Sequence, residues 1–376
     1  TCCTLYSRKG ERIMSALENL KKLTALDGVS GDEKQVRDYI LSQVKDYVDD
    51  YWVDNLGNLI TYKKGMGSGP RVMLDAHMDE VGLMVTQINS DGLLKFQTVG
   101  GIEDRVLVGK RVRIGENKVP GVIGLKPIHL QDSTERTGAV NKKRLAIDIG
   151  AKDREQAEAK VEVGDIVSFA YDPVEFGDNK LMAKALDDRV GCAALIEILK
   201  ERYECDIYGC FTVQEEIGLK GAKTASFQVM PDVAIVLEGT TCYDLPGAEK
   251  QDMSTRCGHG PALTIMDRSV IVDSELLALI TDVAKLKGIP YQYKQTISGG
   301  TDAGRIQVNG TGVKVAVIAV PCRYIHTPVS VMDISDFENM IRLAKEVLKT
   351  IPQVGPDGRF MKGTEEEHIN LYKEEG

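Results

Sequence analysis

The 376-residue chain has no apolar run approaching the roughly 18 residues of a membrane-spanning helix; its longest, such as Val315 to Val320, have the length of a buried strand. The N-terminal stretch also lacks the apolar centre of a secretory signal. Basic residues are outnumbered, 47 against 56 acidic, for a net charge of −9, and no basic run or basic–aromatic stripe interrupts that background. Counterion release from nucleic acid needs clustered Lys and Arg, so neither nucleic acid nor an anionic membrane is an expected partner. Aromatics are 6% with a single tryptophan, Trp52, which leaves little material for the sugar platforms of a glycosidase. Eight cysteines without a C-x-x-C pair are too few for a disulfide scaffold; with the missing signal they predict reduced thiols and a cytoplasmic location. The six cysteines from Cys192 onward are expected to act as buried small hydrophobes. No G-x-S-x-G elbow occurs, and no cysteine has a thiolate-activating flank, which argues against serine or cysteine nucleophiles.

What is present is ordinary globular material, 43% hydrophobic and 27% charged, in a length that suits roughly two to three domains or one large core with an insertion. Residues 1–13, TCCTLYSRKGERI, fit no periodicity, whereas Met14 opens an amphipathic stretch through Leu17, Leu20 and Leu23; Met14 is the expected native start and 1–13 an expected non-native leader. Ser30 and Glu33 have capping-box spacing, followed by Val36, Ile40, Val44 and Val48 at four-residue steps, which predicts a helix. From Asn58 the period becomes two, and between about 82 and 171 almost nothing reads as helix except Asp153 to Lys160. After Ala183 strands and helices alternate: a helix Asp188 to Arg202, strands IYGCFTV and VAIVL, a helix Ser274 to Lys287, a strand VKVAVIAV and a helix Ile334 to Thr350. The expected fold is an α/β catalytic domain in two parts, 14–81 and 172–376, interrupted by a small all-β domain at 82–171, with a loose charged tail from Gly363.

Only five histidines occur, and two stand directly beyond apolar strands: His77 after RVMLDA and His326 after VAVIAVPCRYI. Carboxylates recur at similar places: Asp187 before a helix, Glu215 and Glu216 after IYGCFTVQ, and Glu238 after VAIVL. Such positions gather ligand sites in open α/β sheets, and paired carboxylates at an apolar strand end call for a cation or a shared proton. The bland alternatives are a helix N-cap at Asp187 and Asp188 and a solvated loop at Glu215 and Glu216; the apolar, glycine-rich flanks count against the second. Two His and three carboxylates suit two divalent ions, one carboxylate bridging and each ion taking one His and one further carboxylate. One glutamate of the pair then stays free to move a proton, and Asp79, two residues after His77, could hold the imidazole by its other nitrogen. Spacing alone does not fix who does which.

The motifs AHMDEVGLMV at 76–85, ALDDRVG at 185–191, VQEEIGLKGA at 213–222, GGTDAG at 299–304 and IHTPVSVMD at 325–333 together resemble the dinuclear metallo-aminopeptidases of peptidase family M42. That family holds glutamyl, leucyl and deblocking aminopeptidases, the TET aminopeptidases and proteins labelled cellulase M. The resemblance runs from about Met14 to about Gln353. It implies a mixed-sheet three-layer catalytic domain with an inserted β-barrel dimerisation domain, and removal of N-terminal residues from short peptides by a metal-bridging hydroxide. By resemblance one ion is held by His77, Glu238 and the bridging Asp187, and the other by Glu216, His326 and Asp187. Glu215 matches the general base, Asp79 the residue that orients His77, and Thr301 and Asp302 lie in a segment implied to touch substrate. The GGTDAG glycines are equally consistent with a turn. The implied cofactor is two divalent ions per subunit, zinc or cobalt first and manganese as an alternative; the implied assembly is dimers building a tetrahedral dodecamer. Two departures stand out: Glu238 occupies a position that is usually Asp, and His259 precedes GP in place of the commoner residue, with no role expected for it. A glycosidase, as the cellulase label would have it, leaves both strand-end histidines without work, and a retired scaffold has no need of the unligated Glu215.

Overall fold

The computed structural model describes residues 15–133, 136, 138–351 and 360, so the expected leader and the charged tail lie outside the described residues. Helix α1 (Ala16–Ala25) starts at Ser15, whose Oγ accepts the Glu18 N–H at 3.2 Å while the Glu18 carboxylate takes the Ser15 N–H at 2.9 Å. This reciprocal pair satisfies two donors that a helix end leaves orphaned. The capping box expected at Ser30 and Glu33 does not form. Helix α2 (Lys34–Val44) begins at Glu33 without a side-chain cap, because Ser30 Oγ donates instead to Asp79 at 2.6 Å and the Glu33 carboxylate accepts the Gly31 N–H at 2.7 Å. The helix also stops at Val44, short of Val48, as the chain turns toward β1 (Asp50–Val53).

Strands β2 (Leu59–Lys63) and β3 (Arg71–His77) complete the first part of a mixed sheet. The chain then leaves it for β4 (Gly82–Ile88), β5 (Leu94–Val99), β6 (Arg111–Ile114), β7 (Val119–Gly124), β8 (Ala146–Asp148), helix α3 (Arg154–Glu158) and β9 (Ile166–Phe169). These six strands close into an antiparallel barrel in the order β4-β5-β8-β7-β6-β9, with a core of its own around Leu83, Leu94, Val112, Ile147 and Val167. The return runs through β10 (Val174–Phe176), β11 (Lys180–Ala183), α4 (Leu186–Ile198), β12 (Asp206–Thr212), α5 (Lys220–Val229), β13 (Val233–Cys242) and β14 (Ala262–Leu263). It ends with α6 (Ser274–Leu286), β15 (Gln292–Tyr293), α7 (Ala303–Ile306), β16 (Lys314–Arg323), β17 (Ser330–Asp333) and α8 (Ile334–Thr350).

The main sheet order is β1-β2-β12-β3-β13-β16-β17-β11-β10, with β14 and β15 attached at β16. Its centre, β12, β3, β13 and β16, is parallel. Both faces of such strands are covered, so they read as continuous apolar runs while the side-chain period of two still divides them. In β13, Val233, Ile235 and Leu237 pack with α1, α2, α4, α6 and α8, whereas Ala234 and Val236 pack with α5 and α7. Helix, sheet and helix thus make three layers. No helix among the described residues is long and apolar enough to cross a membrane.

Candidate metal centre

Parallel neighbours end on one edge, and that edge collects the strand-end residues. His77 closes β3 in register with Thr212, the last residue of β12, so Glu215 and Glu216 follow immediately beside it. The strand expected at VAIVL continues to Cys242, which puts Glu238 inside β13 rather than beyond it. His326 lies in the turn between β16 and β17. Asp187 sits at the start of α4, where it and Asp188 depart from helical dihedrals. The regular helix follows these two residues, in keeping with the expected start at Asp188, and ends at Ile198, not Arg202.

Asp187 stands between the two imidazoles: His77 Nε2 is 3.1 Å from its Oδ1, and His326 Nε2 is 3.3 Å from its Oδ2. Glu238 Oε1 lies 3.4 Å from His77 Nε2, and Glu216 Oε2 lies 3.5 Å from His326 Nε2. Donor atoms of His77, Asp187 and Glu216 fall within 4.8 Å of one another, as do those of His77, Glu215 and Glu238. Glu215 is therefore close enough to the His77 side to act either as a further ligand or as a free carboxylate beside it. Below, Asp79 faces His77 Nδ1 with its carbonyl oxygen at 3.1 Å and its Oδ1 at 3.4 Å. The same carboxylate accepts the N–H groups of Glu215 and Glu216 at 3.0 and 3.2 Å. With Nδ1 turned to these acceptors as a donor, Nε2 is the nitrogen whose proton faces Asp187 and Glu238 and would be given up to a cation bound there.

Burial and mutual repulsion dominate the electrostatics. Glu216 and Glu238 are pushed up to about 8, by burial first and then by the charge of Asp187, and Glu215 is pushed well up by burial. Burial acts against Asp187 too, but hydrogen bonds from His326 and His77 hold it below the usual carboxylate range. Burial lowers His326, and Asp187 and Glu216 overcome this to raise it to about 9. Among Asp79, Asp187, Glu215, Glu216 and Glu238, five carboxylates face two imidazoles; such a cluster is short of positive charge and takes either protons or cations.

Three ordinary residues at the site hold left-handed dihedrals: Ala185 at φ 53°, Gln214 at φ 57° and His326 itself at φ 58°. Such strain persists where the surroundings over-determine it, and here it turns Asp187, Glu215 and His326 toward one another. The barrel also reaches the site. A Cβ on Gly100 would lie 3.3 Å from Glu216 Cβ, and one on Gly101 would lie 3.4 Å from His326 Nδ1. A cavity bordered by Asp187, Glu216 and His326 on one side and by Phe169 at the barrel's end on the other opens there.

The remaining candidates are placed differently. Thr301 is buried with its hydroxyl on Asp267 at 3.1 Å, and Asp302 is buried with Oδ2 accepting from Thr212 at 2.8 Å. Their polar groups thus face the protein. His259 is exposed, between two glycines whose N–H groups both bind Asp336. One buried acid has a second partner beside its expected role, and another went unremarked in the sequence. Asp188 keeps the N-cap role for α4, taking the Gly191 N–H at 2.9 Å, and also takes the His77 N–H at 3.1 Å. Asp75, two residues before His77, meets no donor and is raised by burial and by Asp302 beside it. A charged residue inside the apolar run RVMLDAH was the available signal for it.

The profile described as M42 glutamyl aminopeptidase matches residues 57–343. Similar curated proteins include one from Acetivibrio thermocellus named as an aminopeptidase, 41% identical over 331 residues that cover 88% of this chain and 97% of that one. Another is the lysyl aminopeptidase of Pyrococcus furiosus, 36% identical over 342 residues, covering 89% and 97%. Among solved structures, the TET1 peptidase of Pyrococcus horikoshii, described as able to assemble into a tetrahedron or a large octahedral shell, superposes with a TM-score of 0.79 at 36% identity, covering 89% of this chain and 99% of that one.

Proposed function

The chain belongs to the M42 glutamyl aminopeptidase family, a metal-dependent group of peptide-bond hydrolases, and on that premise we propose that it removes N-terminal residues from short peptides with Glu215 as general base. The observation that carries this reading is Asp187, with His77 on one oxygen and His326 on the other, each imidazole backed by its own glutamate.

The residues fit two divalent ions. Imidazole nitrogen with carboxylate oxygen is a donor set for zinc, cobalt or manganese, and the excess of buried carboxylate is what two dications would balance. One ion would be held by His77, Glu238 and Asp187, the other by His326, Glu216 and Asp187. When bound, the ions would polarise the scissile carbonyl and acidify the attacking water. Glu215 takes that water's proton and returns it to the departing amine; its buried carboxylate, raised above the usual range, is suited to both steps. Asp79 fixes the backbone from which Glu215 and Glu216 project and holds His77 in the tautomer that offers Nε2. The longer arm of Glu238, where family members usually carry Asp, sets its carboxylate close against His77 and is expected to bias the choice of ion at that site.

We further propose that the chain associates through its barrel into dimers and on to a tetrahedral dodecamer, working in the cytoplasm on peptides short enough to enter; the likeness to a TET1 peptidase able to assemble into a tetrahedron or a large octahedral shell supports the higher assembly alone. Light scattering of the purified protein tests the assembly. A panel of aminoacyl chromogenic substrates, assayed on metal-stripped protein after adding back zinc, cobalt or manganese singly, tests the activity. Release restored by one or more ions supports the reading; no release from any substrate with any ion overturns it. The same panel decides between acidic, basic and large apolar N-terminal residues.

A further inference from the structure

Beyond Glu238, strand β13 ends on Cys242, and after the fourteen residues from Tyr243 to Arg256 the chain comes back with Cys257 beside it. The two Sγ atoms lie 3.7 Å apart. Cys242 is buried with its thiol directed at Thr255 O, 3.3 Å away, whereas Cys257 is partly open to solvent and near Pro321 O at 3.5 Å. The return of the loop is fastened on both sides of this contact. Thr255 Oγ1 donates to Thr241 O at 2.8 Å, and Asp244 accepts the Cys257 N–H at 3.1 Å.

Cys242, Cys257 and Asp244 bring one donor atom each within 4.8 Å of one another, which raises the question of a third ion. Arg323 opposes it: Nη2 donates to Asp244 Oδ2 at 2.9 Å and Nε donates to Oδ1, so both carboxylate oxygens already serve a guanidinium. A dication there would meet that positive charge with a carboxylate already spent. Two thiols in contact need no such cation: the hydrogen bond between the sulfurs holds the Cys242 thiol below its usual range and, with burial, pushes the Cys257 thiol up, so the pair shares the proton that remains once the first is lost.

We propose that Cys242 and Cys257 are a site of reversible oxidation, closing a disulfide across the loop 243–256 by exchange with a low-molecular-weight disulfide of the oxidised-glutathione kind. The pair gives up one proton, the other stays on Cys242, and Cys257, the sulfur that solvent reaches, attacks one sulfur of the small disulfide. That S–S bond breaks, a mixed disulfide forms on Cys257, and the first small thiol leaves carrying the proton. Cys242 then attacks the Cys257 sulfur, the mixed bond breaks, and the second small thiol leaves with the Cys242 proton. Two protein thiols are oxidised by two electrons and one small disulfide is reduced to two thiols. The closed ring ties the loop to the end of the strand that carries Glu238.

The test takes the metal-loaded full chain, reduced or incubated with oxidised glutathione, then denatured, alkylated and weighed. The expected result is loss of two of the eight alkylatable thiols, with a peptide joining Cys242 to Cys257 that dithiothreitol releases. Proteolytic nicking in the exposed turn at Pro246 and Gly247 should give two fragments that stay together until reduced. The cross-linked peptide is read on the wild-type chain, so the conclusion does not depend on a variant folding; Cys257→Ser and Cys242→Ser should each abolish it. A mixed disulfide that persists on Cys257 without closing overturns the proposal. So does a third tightly bound metal ion per subunit that is lost in Cys257→Ser.

Discussion

Asp79 accepts the backbone N–H of Glu215 on Oδ1 at 3.0 Å, so a residue proposed to orient an imidazole also sets the position of the proposed base. Its Oδ2 takes the Glu216 N–H and the Ser30 hydroxyl, at 3.2 and 2.6 Å. Asp79→Asn keeps the shape but turns a donor toward at least one of these donors. The expected outcome is a loss of about 10–100-fold in activity or metal affinity. Measuring kcat against metal concentration separates the two, and an unchanged profile would remove Asp79 from the site.

Glu215 and Glu216 are adjacent in sequence yet proposed for different work, and their amide variants should differ accordingly. Glu215→Gln is expected to retain two ions per subunit by elemental analysis while kcat falls about 10²–10⁴-fold. Glu216→Gln should lose the ion on the His326 side. If Glu215→Gln also loses an ion, the second donor group, with His77 and Glu238, describes a ligand rather than a base.

Much of this site was legible because its chemistry is concentrated where apolar strands stop, and apolar strands are the plainest signal a sequence carries. His77 and His326 announce themselves by that position, and β13 and β16 by both faces being buried. Boundaries were less legible. Nothing in VAIVL says that the strand continues through Glu238 to Cys242, since that extension is fixed by pairing with β16, a partner distant in sequence. The capping box at Ser30 failed for a similar reason: its hydroxyl found Asp79, a competitor from another strand. The loop approach of Gly100 to Glu216 and the meeting of Cys242 with Cys257 are tertiary facts with no local pattern behind them.

Metal binding should consume protons' places, with a sign that follows from the raised groups. In the metal-free protein Glu216 and Glu238 titrate near 8 and His326 near 9, above their ordinary 4.5 and 6.5. Such groups bind more protons folded than unfolded, so they cost stability as pH rises from the unfolded value through the folded one. The metal-free protein is expected to lose stability from about pH 5 to about pH 9, while an ion displaces those protons and binds more tightly over the same range. Melting of stripped and reloaded protein should show a gap that widens with pH. Calorimetry in buffers of different ionisation heat should report proton release; a gap independent of pH would count against these ligands.

Gly100 lets the barrel press on the second half of the site. It holds φ +81°, and an added Cβ would meet Val81 Cγ1 at 2.8 Å and Glu216 Cβ at 3.3 Å. Gly100→Ala carries a left-handed penalty of about 1 kcal/mol or more and pushes on the carboxylate arm. Its expected signature is weakened retention of the ion on the His326 side with the His77 side unaffected, read by competition with a chelator. Equal loss at both sides would mean that the barrel merely loosened.

Asp27 ties the catalytic part to the barrel, and its charge should govern acid stability. It takes Arg113 Nη2 and Nε at 2.7 and 3.1 Å and Lys118 Nζ at 2.7 Å, with Lys184 Nζ at 3.6 Å. Burial alone would raise it, but the Arg113 hydrogen bonds, the Lys184 charge and the Lys118 hydrogen bond bring it down to about 2 from an ordinary 3.8. A depressed carboxylate gives stability that is complete above the unfolded value and is lost as pH falls through the folded one, so the loss belongs between about pH 4 and pH 2. Asp27→Asn should remove that step and, by leaving Arg113 and Lys118 facing Lys184 without their anion, cost about 1–3 kcal/mol at neutral pH. Hydrogen exchange offers the sharper reading, because the effect should concentrate in β6, which carries Arg113, and in the turn before β7, which carries Lys118. Uniform destabilisation of barrel and sheet would show that Asp27 supports the whole fold instead of this junction.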